Sequence, residues 1–119
     1  MKWYEKIIRA HLAVTDAVSH GSRMKSERYF VWQEDGSADF MAGNRHAEHV
    51  VTGTTDLFTK KEFDPWADAF EMELNADEDI SWQCIDIQYE EETGFWHYTW
   101  EWSVNATWQN GNLKDLTPM

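Results

Sequence analysis

The sequence predicts an α+β fold in the order helix, strand, strand, helix, strand, strand, with a mostly antiparallel sheet and two helices on one face. Three observations carry this expectation. Apolar residues return at helical spacing twice, around Ile7 and around Phe70. Each such segment is followed by two strand-like runs. The last run, Phe95-Trp96-His97-Tyr98-Thr99-Trp100-Glu101-Trp102-Ser103-Val104, puts Trp96, Tyr98, Trp100, Trp102 and Val104 on one face. That face needs cover, while the other is mostly polar.

The first helix is expected over residues 2–18, where Trp3, Tyr4, Ile7, Ile8, Leu12 and Val14 form a broad apolar stripe, and Gly21-Ser22 ends it near His20. Residues 22–28 read as a polar, partly basic connector. Tyr29-Phe30-Val31-Trp32-Gln33 is the first strand, apolar on both faces and so buried on both or shared with a neighbour. Glu34-Asp35-Gly36 stops it, and residues 36–45 are expected as a long loop carrying Phe40 and Met41. Residues 46–59 form the second strand, in which Gly53 marks a bulge or a close backbone approach. Asp64-Pro65 opens the second helix as N-cap and first helical residue. Trp66, Phe70 and Leu74 give its buried stripe with Ala67 alongside, and Asn75-Ala76-Asp77 closes it. Ile80–Glu90 is the third strand, with a phase break that a bulge near Cys84–Ile85 reconciles. Glu91-Glu92-Thr93-Gly94 turns the chain into the fourth, 95–104. Residues 1–104 are thus expected as one domain and 105–119 as a polar, weakly ordered tail.

The chain has 119 residues and a formal net charge of −12, with 22 acids against 10 bases. This balance argues against nucleic-acid binding and against anionic membrane surfaces, both of which need basic patches. One cysteine, Cys84, allows no internal disulfide, and its flanks Trp82, Ile85 and Ile87 suggest a buried, inert thiol. No run of residues suggests a signal peptide or a membrane span.

Chemistry-bearing motifs are sparse. His46-Ala47-Glu48-His49 would align its histidines on a helix, but on a strand that spacing sends them to opposite faces, so no metal site is expected. His97 shares the polar face of the last strand with Thr99 and Glu101, without a nucleophile beside it. No phosphate-binding glycine loop or nucleophile elbow is present. The expectation is a non-enzymatic protein with no cofactor. The Trp-rich face has three readings: core beneath the helices, a subunit interface, or a sugar-stacking platform.

Phe30-Val31-Trp32-Gln33-Glu34-Asp35-Gly36, then Asp39 and Asn44, then Asp56-Leu57-Phe58-Thr59-Lys60-Lys61, then Asp64-Pro65, resembles small siphophage tail-completion proteins, also called tail-terminator or head–tail joining proteins and common in prophages. Tyr89-Glu90-Glu91 and Tyr98-Thr99-Trp100-Glu101 match their final hairpin. The resemblance spans about residues 28–104, and order and spacing carry it more than any single motif. It implies a structural virion protein made in the bacterial host cytoplasm. Such a protein forms a ring of identical copies, typically a hexamer, and its partners are the tail tube protein and the head connector. Asp39, Phe40, Met41, Arg45 and Trp102 are the expected subunit or tail-tube contacts. The alternative is a small carbohydrate- or ligand-binding domain using the Trp-rich face.

Overall fold

The computed structural model describes residues 1–42 and 45–106, with the side chains of 39–48 outside that description. The elements are α1 (Trp3–Leu12), β1 (Val18–His20), β2 (Arg28–Ala42), β3 (Arg45–Thr59), α2 (Pro65–Asn75), β4 (Ile80–Glu90) and β5 (Phe95–Asn105). The five strands lie in the order β1-β2-β3-β5-β4, antiparallel except for the parallel pair β1 and β2. The α+β class holds, with both helices on one face, but a strand is added between α1 and the first expected strand.

That addition corrects the expected helix over 2–18. After Leu12 come Ala13, Val14, Thr15 and Asp16, and the last three favour leaving a helix through β-branching or side-chain competition for the backbone. The Thr15 hydroxyl accepts from the Ala17 N–H at 3.0 Å, and the Val18 N–H turns back to the Asp16 carbonyl at 2.9 Å. The freed residues Val18–His20 then pair with Phe30–Trp32. Gly21, at φ 83, makes the reversal that follows.

The second correction concerns residues 36–45. Glu34-Asp35-Gly36 does not end the strand but bulges it: Glu34 faces Gly53, Gly36 faces Thr52, and Asp35 is the extra residue. The Asp35 carboxylate accepts from the Thr54 hydroxyl at 2.5 Å and from the Gln33 amide at 3.2 Å, which satisfies the bulge. β2 therefore continues to Ala42 and β3 begins at Arg45. Gly53 is a close approach, as expected: a Cβ there would stand 2.2 Å from the Trp102 ring and 2.6 Å from the Gln33 carbonyl. The expected bulge in β4 also appears, between Cys84 and Asp86.

The core lies between the sheet and the helices. Ile7 and Ala10 of α1 and Ala67, Phe70 and Leu74 of α2 meet Phe30, Trp32, Leu57, Ile80, Tyr98, Trp100, Trp102 and Val104. Tyr29, Val31 and Phe58 bury the opposite face of the same strands under Ala17 and Met24, so residues 29–32 of β2 are covered on both sides, as their sequence requires. The Arg23 guanidinium lies 4.1 Å from the Phe58 ring and completes that cover.

Two polar devices fix the helices. Asp64 is buried and accepts from Arg28 Nε at 2.8 Å, Arg28 Nη2 at 2.5 Å, Thr59 Oγ1 at 2.7 Å and the Trp66 N–H at 2.9 Å. Burial alone would raise its pKa, but the Arg28 guanidinium and these donors hold it below the usual carboxylate value. His11 is fully buried under α1, its Nδ1 2.7 Å from the Ile7 carbonyl and its Nε2 3.0 Å from Thr55 Oγ1. A carbonyl only accepts, so Nδ1 carries the proton and Nε2 accepts from the Thr55 hydroxyl. The Thr55 oxygen in turn accepts from the Trp102 indole N–H at 2.9 Å. Burial pushes the His11 pKa down to about 4, so the ring is neutral at pH 7.

Candidate functional site

Asp39, Phe40 and Met41 lie in the last turnward stretch of β2, and Arg45 starts β3. The backbone register pairs Asp39 with His49, Phe40 with Glu48, Met41 with His46 and Ala42 with Arg45. These four expected contacts therefore gather at the end of one long hairpin. The hairpin is an arm. β1 reaches only to Trp32 along one side of it, and β5 reaches only to Val50 along the other. Beyond those points β2 and β3 have only each other as sheet neighbours among the described residues. A lone two-stranded ribbon is marginal in water.

Trp102 does not join that group. It is 2 % exposed, packed over Gly53 and tied to Thr55, within the core. Tyr98 and Trp100 are likewise buried, and Trp100 donates its indole N–H to Glu71 at 2.8 Å. No ring face of these three is open for a sugar to stack on. Trp96, at the turn end of β5, is only partly covered and rests against Tyr89 at 4.9 Å between centroids.

The His46/His49 spacing is also altered. The backbone register shifts between Phe40 and Met41, so Ala47, between His46 and Glu48, has no register partner on β2. Among the described residues no group of three or more His, Cys, Asp or Glu is placed to hold a metal ion.

His97 sits on the sheet face away from the helices, stacked on Phe58 at 4.2 Å. Its Nε2 meets Asp56 Oδ1 at 2.7 Å, and its Nδ1 lies 3.7 Å from Glu90 Oε2. Glu101, the expected companion, is exposed instead. The Thr99 hydroxyl donates to the same Asp56 oxygen at 2.9 Å. The imidazole thus bridges carboxylates of β3 and β4, and the one adjacent hydroxyl is committed to Asp56. The arrangement links three strands and presents no activated nucleophile. Burial pushes the partly buried Cys84 thiol up, which keeps it protonated.

Sequence reasoning missed two apolar surfaces. Tyr4, Ile8 and Leu12 face outward from α1 and, with Trp3, Val18 and Trp32, line a groove of about 440 Å³ between α1 and β1. At the other side of the sheet Ile85, Ile87 and Tyr89 of the edge strand β4 are about half exposed. Phe63, in the loop after β3, is 85 % exposed and held at φ 52, a strained conformation for a bulky residue. The signal for the first surface was the width of the helical stripe, too broad for one-sided burial. The signal for the second was the bulge, which carries Ile87 and Tyr89 onto the helix-side face beyond the reach of α2.

Compared with protein-family models, and with curated proteins, the chain matches none. Among the described residues no helix is long and apolar enough to cross a membrane.

Proposed function

We propose that this chain is a structural assembly subunit, a phage tail-completion protein that closes the tail tube and joins it to the head connector as a ring of copies, without catalysis. The observation that carries the reading is the β2–β3 arm. It extends past β1 on one side and past β5 on the other, and four of the five expected contacts lie at its end in the backbone register. The motif order seen in the sequence supports it too: the Phe30–Gly36 run, the Asp56–Lys61 run, the Asp64-Pro65 helix start and the aromatic hairpin follow one another in an order that resembles tail-completion proteins. The strong acidity suits a ring lumen through which DNA phosphates must slide without sticking.

Electron microscopy of purified chain mixed with tail tubes from the phage or prophage that encodes it tests this. Density capping one tube end, and tubes of uniform length when the chain is present during assembly, are expected. A chain that leaves both tube ends bare and tube length unregulated is not a tail-completion protein.

A further inference from the structure

The two apolar surfaces stand at opposite edges of one sheet, and the register shows that they are level. Val18 faces Phe30, Phe30 faces Leu57, Leu57 faces Tyr98, and Tyr98 faces Ile87. A single row perpendicular to the strands therefore runs from the groove floor on β1 to the exposed Ile87 on β4. Strand sense agrees with this. β1 and β2 run together, and each step from β2 to β3, β5 and β4 reverses direction, so β4 is antiparallel to β1. A second copy displaced along the row would bring its β1 beside β4 in the antiparallel sense, the more stable way to continue a sheet. Its outward α1 face, Tyr4, Ile8 and Leu12, would then overhang Ile87 and Tyr89.

Charge is divided in the same direction. Residues 1–28, which form α1, β1 and the connector, hold six of the ten Lys and Arg against three acids, and of the six Lys6 pairs with Asp77 and Asp79 and Arg28 with Asp64 of the same copy, which leaves this side close to balanced. Residues 62–106, which form α2, β4 and β5, hold thirteen acids and no Lys or Arg. Two acidic sides repel each other, whereas the nearly balanced side of one copy can accept the acidic side of the next.

We infer that copies of this chain join head to tail, the β4 edge of one (Ile85, Ile87, Tyr89) seating in the α1–β1 groove of the next (Tyr4, Ile8, Leu12, Val18). Such a contact is heterologous: each copy uses two different surfaces, and the chain of copies closes into a ring when the rotation per step permits. The inference rests on the assembly reading above only in taking the occupant to be another copy.

Cysteine cross-linking tests it. In a Cys84→Ser background, Leu12→Cys and Ile87→Cys are made separately, and each is checked for a native thermal transition. A short bis-maleimide is then added to each alone, to their equimolar mixture, and to the double variant. The expected result is a covalent dimer from the mixture, little from either alone, and a ladder from the double variant that stops at the ring number. Ile87→Asp, without cross-linker, should weaken self-association about tenfold, as loss of one central apolar contact does. Homodimers from the single variants, no dimer from the mixture, or a strict monomer at the highest attainable concentration would overturn the inference. The same proteins mixed with tail tubes separate the two claims. Tube capping without the cross-link ladder sinks the head-to-tail contact alone, and a ladder without tube capping sinks the tail-completion role alone.

Discussion

Trp100 and Tyr89 project from neighbouring strands on the same face of the sheet, yet Trp100 is fully buried and Tyr89 is half exposed. Phe30, Phe70 and Tyr98 surround the Trp100 ring at 5.0–6.3 Å between centroids, and Glu71 takes its N–H. Beyond α2 the same two strands carry Ile87, Tyr89 and Trp96 out from under the helices. The arm repeats the contrast at the other end, where residues 33–38 are exposed on strands that run past their neighbours. The middle of the molecule packs under the helices, and its edges and arm lie outside that cover. The difference between them is coverage, because both regions use the same aromatic and aliphatic residue types.

The comparison breaks most sharply at Trp100. Trp100→Ala removes the largest buried side chain and should cost about 3–5 kcal/mol in urea unfolding. Tyr89→Ala, one strand away, should stay within about 0.5 kcal/mol. Equal losses at the two sites would erase the distinction. Asp64→Ala comes next, at about 3 kcal/mol, because it removes a helix cap and leaves the Arg28 guanidinium and the Thr59 hydroxyl without their acceptor. The Asp64 contribution is present above the usual carboxylate pKa and is lost as pH falls through its depressed folded value.

Much of the covered region was legible in the residues. Asp64-Pro65 caps α2, the phase break in Ile80–Glu90 is a bulge, and the Trp-rich face of β5 meets both helices. Local chemistry decides each of these, so local reading finds them. The failures came where distant partners decide. Glu34-Asp35-Gly36 has turn-like composition, but Thr52 and Thr54 on β3 hold it as a bulge within a continuing strand. Val18-Ser19-His20 looks like a helix end until β2 offers it an edge. Of the expected contacts, Asp39, Phe40, Met41 and Arg45 were brought together and Trp102 was not. The first four share a polar, glycine-containing stretch. Trp102 shares the strand face that the core requires, and nothing in its immediate sequence tells a surface tryptophan from a buried one.

His11 sharpens the comparison through pH. Its folded pKa is lowered by burial to about 4 from an ordinary 6.5, so the unfolded chain takes up a proton that the folded chain refuses. This contribution is fully present above pH 6.5, declines as pH falls, and levels off below about 4. Between pH 7 and pH 5 the loss should be about 2 kcal/mol. His11→Gln should flatten that slope in urea titrations while leaving the acid limb from Asp64 in place at lower pH. His97, half covered between Asp56 and Glu90 on the other face, offers the control: His97→Gln should leave the His11 slope intact. A wild-type stability profile flat from pH 7 to pH 5 would show that the buried chain from Trp102 through Thr55 to His11 does not exclude the proton.

The smallest expected effect on folding is the most informative for the edges. Ile87→Asp and Leu12→Asp each place a carboxylate on a side chain that is 55 % exposed, so each should change monomer stability by no more than about 0.5 kcal/mol. Self-association should respond differently. A charge at either site must be desolvated when an apolar surface closes over it, and that penalty falls on the assembled state alone. Leu12→Asp adds an acid to the nearly balanced side and Ile87→Asp adds one to the acidic side, so repulsion across the contact grows in both. Combining the two substitutions in one chain should weaken assembly further. Mixing the two single variants should restore dimers and nothing larger, because the unaltered β4 edge of a Leu12→Asp copy fits the unaltered groove of an Ile87→Asp copy while the two surfaces left over each carry an added acid. An isologous contact through one edge alone predicts another pattern. One of the substitutions would then be silent, and sedimentation velocity on the two variants at matched concentration tells the two arrangements apart.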